Sequence, residues 1–176
     1  ALMFPEDTLV PVRNVRENLD VLVGGPMLDR ASAALTAQGV KDPTAAKLAL
    51  ATALQKIAAD YDLVLLDCPP GEEWLQNVAL GAARYARVPI KTDKSSRKGL
   101  TSVAGRLDQV VDVNPGLDLL GIVIVGSGAN SHQVIARARA EAAALFGSTE
   151  HVLTAAVRRS EATAQAARER GKLVIE

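Results

Sequence analysis

The chain has 176 residues, and twenty Lys plus Arg balance twenty Asp plus Glu, so a constitutive nucleic-acid binder with its usual basic excess is argued against. The single cysteine, Cys68, excludes an internal disulfide framework and fits a reducing cytosol, and two histidines beside it leave no donor set for structural zinc. Hydrophobic residues make up 48% and aromatics 3%, so the core is built from Ala, Val and Leu; no apolar run reaches the ~18–20 residues that span a bilayer, and the opening residues carry no signal-peptide pattern.

In chain order, Leu19–Val23 reads as a strand closed by Gly24-Gly25, and a small helix is expected over about 29–38, stopping at Gly39. Asp42-Pro43 supplies an N-cap and first-turn proline for a helix continuing towards Asp60, with Leu48, Ala51, Leu54, Ile57 and Ala58 on one face. Leu63–Leu66 is continuous rather than alternating, the pattern of a strand covered on both faces. Glu72–Ala86 reads as a helix with acidic residues in its first turn, and Arg87–Thr92 as a strand weakened by Pro89.

Ser95 and Ser96 are candidate caps for a helix whose core stripe is Leu100, Val103, Ala104, Leu107, Val110 and Val111. A turn at Asn114-Pro115-Gly116 leads to the clearest strand, Leu119–Val125. A Gly126-Ser127-Gly128 loop, a helix over Ser131–Phe146, a short strand at His151–Leu153 and a helix over Arg159–Arg170 follow. Strands alternating with helices predict one α/β domain, a mostly parallel sheet with helices on both faces.

The stretch that carries chemistry is Tyr61-Asp62-Leu63-Val64-Leu65-Leu66-Asp67-Cys68-Pro69-Pro70-Gly71. An Asp at the carboxyl end of a buried strand faces the crevice where open α/β sheets bind ligands, and there it can hold the water shell of a Mg²⁺ on a nucleotide. Pro69 and Pro70 stiffen the exit, and Gly71 lets a backbone amide approach a phosphate. On spacing alone, Asp67 serves equally well as a strand-terminal residue that caps the helix opening at Glu72.

In its wider pattern the chain resembles the ParA/MinD family of deviant P-loop ATPases, and ParA-type partition proteins most closely. Tyr61 to Gly71 matches a YDxxxxDxPPG segment, Asn77–Ala83 the helix after it, Val88-Pro89 the next strand and Gly99-Leu100 part of a Ser-Leu-x-Gly-Leu turn. Asn114-Pro115, Gly121-Ile122-Val123, Val157–Gly171 and Asn18–Val23 extend the match over nearly the whole chain.

The resemblance implies a P-loop NTPase-like fold and an ATP-dependent dimer switch that binds DNA without sequence preference and answers to a ParB-like partner in the cytoplasm, on the nucleoid. It implies Mg-ATP as cofactor of the complete protein, with Asp67 placing Mg²⁺ through water and Pro70 and Gly71 beside the γ-phosphate. Arg159, with Arg158, matches the basic segment that holds DNA in such proteins. Lys94, Arg97 and Lys98, together with Lys91, form the densest basic run, open to the plainer reading of a solvated first helical turn.

The departures are specific. No GKGGxGK[ST] phosphate loop occurs in the sequence. Several charge-assisted hydrogen bonds at about 1.5–3 kcal/mol each are thereby absent. Their sum is on the order of the ~8 kcal/mol of a micromolar complex, so tight ATP binding or hydrolysis by this chain alone is not expected. Arg84 replaces the family's aspartate before the central strand, and Gly126-Ser127 stand where relatives carry Asn or Asp near the base.

Three readings follow: a portion of a ParA ATPase with its N-terminal part absent, a P-loop-less relative acting as a non-enzymatic interaction module, and a MinD-like membrane-site ATPase. The last is disfavoured because GKLVIE holds no amphipathic basic helix, so no membrane partner is expected. Loss of a strand interior to the relatives' sheet predicts marginal stability, strand exchange or a rearranged sheet.

Overall fold

The computed structural model describes residues 8–68, 71–128 and 131–171, and within helix 94–110 it leaves the side chains of 94–98 undescribed. The chain forms two compact units, Ala1–Tyr85 with Arg106–Asp118, and Ala86–Gly105 with Leu119–Glu176.

The first unit opens with an antiparallel hairpin, β1 (Val12–Arg16) and β2 (Leu19–Val21), of which the sequence reading anticipates only the second strand. Every residue of β1 is exposed, so no buried face imprints an alternation on it. Asn14 and Asn18 adopt positive φ, 52° and 57°, a conformation their short polar side chains tolerate. Helix α1 (Pro26–Lys41) is longer at both ends than expected and buries Ala31, Leu35 and Gly39, one face at i, i+4, i+8. Asp42 caps α2 (Pro43–Gln55) as anticipated, its carboxylate accepting from the Ala45 amide at 2.9 Å with Pro43 in the first turn. The helix stops short of Asp60, and a single 3-10 turn covers Ala58–Asp60.

The expected strand at Leu63–Leu66 is not formed: residues 63–68 belong to neither sheet, and Leu63 and Leu65 are 72% and 83% exposed. A continuous apolar run becomes a buried strand only where neighbouring strands take its amides and carbonyls and layers cover both faces. Among the described residues neither is supplied.

Helix α3 (Glu73–Ala82) is shorter than predicted. A side chain on Gly81 would collide with the Lys47 carbonyl of α2, and one on Gly39 would meet the Trp74 ring, so both glycines permit close helix contacts. Asn114 closes α3, its Nδ2 donating to the carbonyls of Leu80 (2.8 Å) and Ala83 (2.7 Å).

The second unit is a three-stranded parallel sheet in the order β3 (Tyr85–Ile90), β4 (Asp118–Ser127), β5 (Val152–Arg158). In β3, Ala86, Val88 and Ile90 are buried and alternate with exposed residues; Pro89 falls on an exposed position of an edge strand, where the missing donor costs least. Helix α4 (Lys94–Val110) already includes Ser95 and Ser96, which therefore lie in its first turn rather than at its cap; Leu100 and Val110 of its stripe are buried and Val111 is not. Ile122 and Ile124 of β4 are 0% exposed and pack in one core with Val88, Ile90, Leu100, Val152 and two alanines of α5 (His132–Phe146). β5 extends beyond the predicted three residues, parallel to β4 with Ile122 opposite Val152 and Ser127 opposite Arg158. Helix α6 (Glu161–Arg170) ends the described chain, capped by Ser160, whose hydroxyl accepts from the Thr163 amide.

Candidate functional site

In the first unit the candidate segment starts from a polar anchor. Tyr61 Oη donates to Asp20 Oδ2 at 2.8 Å, and Arg13 Nη1 reaches both Asp20 Oδ2 (2.9 Å) and Tyr61 Oη (2.8 Å). The Asn14 amide donates to Asp20 Oδ1 at 2.7 Å, and the Arg13 guanidinium lies 5.6 Å from the Tyr61 ring centre. The amide of Asn14, the Tyr61 hydroxyl and Arg13 together hold the Asp20 carboxyl below its ordinary range. Desolvation, followed by the hydrogen bond to Asp20, raises the Tyr61 phenol. This cluster fixes the start of the segment on the β1–β2 hairpin. The sequence signals Tyr61 only as part of a motif and gives no hint of Arg13 and Asp20, which lie 48 and 41 residues away.

At the far end of the segment Asp67 is exposed. The adjacent Cys68 thiol is raised by desolvation and then by the Asp67 carboxylate, so it is a weak nucleophile at neutral pH. Pro69 and Pro70 lie outside the described residues. Gly71 has φ +94°, a conformation that strains any L side chain, and open space surrounds the position of a Cβ. The helix that follows takes Glu72 as its N-cap residue, so the reading in which Asp67 merely caps that helix is not realised.

Among the described residues no group of three His, Cys, Asp or Glu side chains is placed to hold a metal. Asp67 thus offers one carboxylate. That suits Mg²⁺, which keeps several waters and takes one or two carboxylates together with nucleotide phosphates.

The basic candidates belong to the second unit. Arg158 ends β5, and Arg159 Nε pairs with Glu161 Oε1 at 2.7 Å, which lowers the Glu161 pKa. Both partners are exposed, so the pair is weakened by solvent and a phosphate could compete with the carboxylate. Lys94, Arg97 and Lys98 occupy the first two turns of α4, their side chains outside the described set. Arg137 is engaged with Glu141 at 2.9 Å and Arg139 with the Thr154 carbonyl, so neither extends a basic patch without giving up a partner. Ser127 is 2% exposed, and its Oγ has no partner among the described residues. A cleft of about 330 Å³ lined by Ile90, Lys91, Leu100, Val134, Arg137 and Glu141 includes Lys91 of the basic run and, among the described residues, none of Asp67, Gly71, Arg158 and Arg159.

A model of the family described as AAA domain matches residues 6–122, which include the whole Tyr61–Gly71 segment. This chain belongs to that family, among the ParA/MinD ATPases. It is 35% identical over 94 residues to the chromosome partitioning protein ParA of Myxococcus xanthus, covering 51% of this chain and 33% of that protein. It is 38% identical over 95 residues to the chromosome-partitioning ATPase Soj of Thermus thermophilus, covering 51% and 38%. The match thus spans little more than a third of these partition relatives.

Solved structures also resemble this ParA-family chain. Apo McdA of Cyanthece superposes with a TM-score of 0.76 over 97% of this chain and 66% of its own at 16% identity, a likeness of fold. Cobyrinic acid a,c-diamide synthase of Mycobacterium smegmatis, with bound ATP analog and magnesium, gives 0.59 over 68% and 47% at 27% identity. No helix among the described residues is long and apolar enough to cross a membrane.

Proposed function

We propose that this chain supplies the magnesium-facing segment and a DNA-contacting surface of a ParA-type partition ATPase. In the complete protein, ATP drives dimerisation, the dimer holds DNA without sequence preference, and a ParB-like partner stimulates release. The carrying observation is the Tyr61–Gly71 segment: an exposed carboxylate at Asp67 followed, across the two prolines, by a glycine in positive φ with open space around it. When bound, Mg-ATP supplies the phosphoanhydride whose hydrolysis resets the switch. Asp67 would orient magnesium-bound water, and the Gly71 amide would face the terminal phosphate, with Pro70 stiffening the approach. Arg158 and Arg159, joined by Lys94, Arg97 and Lys98, would contact DNA phosphates, giving weak, salt-sensitive binding. The nucleoid-associated cytoplasm is the matching location.

The test measures Mg-ATP hydrolysis in the gene product extended to the length of the partition relatives. Asp67→Asn is expected to lower turnover about 10–100-fold, the usual cost of losing a group that orients metal-bound ligands. Unchanged turnover would remove Asp67 from the role. The chain as it stands is expected to retain no radiolabelled ATP on a filter at micromolar concentration.

A further inference from the structure

The second unit holds a cleft of about 330 Å³ that the proposed function does not use. It opens at the carboxyl end of β3, where Ile90 ends the strand, and is lined by Leu100 of α4 and by Val134, Arg137 and Ala138 of α5. Open α/β sheets take their ligands at the carboxyl ends of the strands. The volume stands at the lower end of the range for small-molecule sites.

The buried part of the lining is apolar and fixed. Ile90, Leu100 and Ala138 all belong to the core packed on the sheet, whereas Val134 is exposed. A ligand's apolar body laid against these side chains leaves water and gains contact with a surface that is already ordered.

Four charged residues, Lys91, Asp93, Arg137 and Glu141, also line the cleft, and they sum to zero. Net charge therefore selects no ligand, but hydrogen-bonding capacity does. Glu141 is paired with Arg137, and Lys91 and Asp93 are engaged as well. Arg137 gives only its Nε to Glu141 Oε1, at 2.9 Å, and its Nη1 and Nη2 have no partner among the described residues. One edge of the guanidinium fork is thus open, and its parallel N–H groups match the two oxygens of a planar carboxylate. An ammonium group, which can only donate, meets carboxylates that are already engaged.

We propose that this cleft binds a small monocarboxylic acid with an apolar body. The carboxylate lies on the open edge of Arg137, which keeps its bond to Glu141, and the body covers Ile90, Leu100 and Ala138. Bound there, the acid braces α5 against the connection from β3 to α4. Neither Asp67 nor ATP takes part, so the site goes beyond the function proposed above and does not rest on it.

Three probes of matched size test the assignment: phenylbutanoate, phenylbutylamine and phenylbutanol. Each is titrated into the isotope-labelled chain and followed through the amide shifts of Ile90, Lys91 and Ala138. Phenylbutanoate is expected to bind at about 1 mM, as about a dozen heavy atoms give at the efficiency of drug-sized ligands. It should bind about five-fold more tightly than the alcohol, the gain from a charge-assisted bond reduced by exposure. Arg137→Gln is expected to bring the acid down to the affinity of the alcohol and to leave the alcohol unchanged, a split that general loosening of α5 would not produce. Ala138→Leu fills the cleft and is expected to abolish the shifts from both; Arg137→Gln decides alone if that variant does not fold. Equal binding of acid and alcohol overturns the proposal, as does a preference for the amine. So does an acid preference that survives Arg137→Gln, or the absence of saturable shifts at the three amides up to about 10 mM.

Discussion

Both units bury apolar side chains, Leu35, Val78 and Val110 in the first and Ile122 and Ile124 in the second, but they differ in the contacts added to that burial. In the second, eight buried apolar residues close around a three-stranded sheet, and no buried charge is needed to set their register. In the first, two glycines allow close helix contacts, Asn114 ties down the end of α3, Arg106 pairs with Glu73, and the hairpin is fastened through Arg13, Asp20 and Tyr61. Its most apolar stretch, Leu63–Leu66, stays outside any sheet. Apolar burial is non-directional and tolerant, whereas hydrogen bonds and glycine contacts depend on single atoms. Both units are therefore vulnerable to loss of volume, and the first in addition to loss of individual polar groups.

The largest expected effect lies in the second unit. Ile122→Ala removes a side chain that is fully buried, and the transfer and cavity costs together should destabilise by about 2–5 kcal/mol, read as a fall in the urea midpoint. Leu65→Ser is the matched opposite, a large apolar residue that is mostly exposed, and its midpoint should stay within about 0.5 kcal/mol. A loss at Leu65 approaching that at Ile122 would break the comparison, because it would mean that this stretch is covered in solution.

The contrast also explains which parts were legible in the sequence. β4 could be read because Leu119–Val125 is a long apolar run that finds strands to pair with, and the start of α2 because Asp42-Pro43 is a local signal that Ala45 alone completes. Leu63–Leu66 carries the same apolar signal as β4 yet forms no ladder, since a strand is a property of its neighbours as much as of itself. β1 was missed because all five of its residues are exposed. In the site, Asp67 and Gly71 were visible as a motif, and the positive φ of Gly71 agrees with the choice of glycine there. The Arg13–Asp20–Tyr61 anchor was invisible because it joins residues far apart in sequence. The Arg159–Glu161 pair, by contrast, is two residues apart and could have been anticipated.

A middle-sized effect tests the polar side of the comparison. Asn114→Ala removes two hydrogen bonds to carbonyls that have no partner inside α3, and should cost about 1–3 kcal/mol by the same urea measurement. Asn114→Asp sharpens the result, because an ionised carboxylate can only accept and would face the Leu80 and Ala83 carbonyls with no hydrogen to offer. It should therefore be no better than alanine. A loss below about 0.5 kcal/mol for both variants would show that water satisfies those carbonyls equally well, and that α3 is held by packing alone.

The smallest effect is a pH dependence at the hairpin. The Asn14 amide, the Tyr61 hydroxyl and Arg13 favour ionised Asp20, so its folded-state pKa lies below the ordinary 3.8. A depressed carboxylate binds its proton more weakly folded than unfolded. Its contribution is therefore complete above 3.8 and is lost as the pH falls through the lower folded value. Because the hairpin is a small part of the unit, the measurement is best made locally. The Asn14 amide donates to Asp20 Oδ1, so its NMR shift should titrate with a midpoint below 3.8. Arg13→Ala and Tyr61→Phe should each move that midpoint upward, since each removes a group that favours the ionised Asp20. A midpoint at or above 3.8 would mean that the hairpin is not fastened through this carboxylate, and would leave the first unit dependent on helix contacts alone.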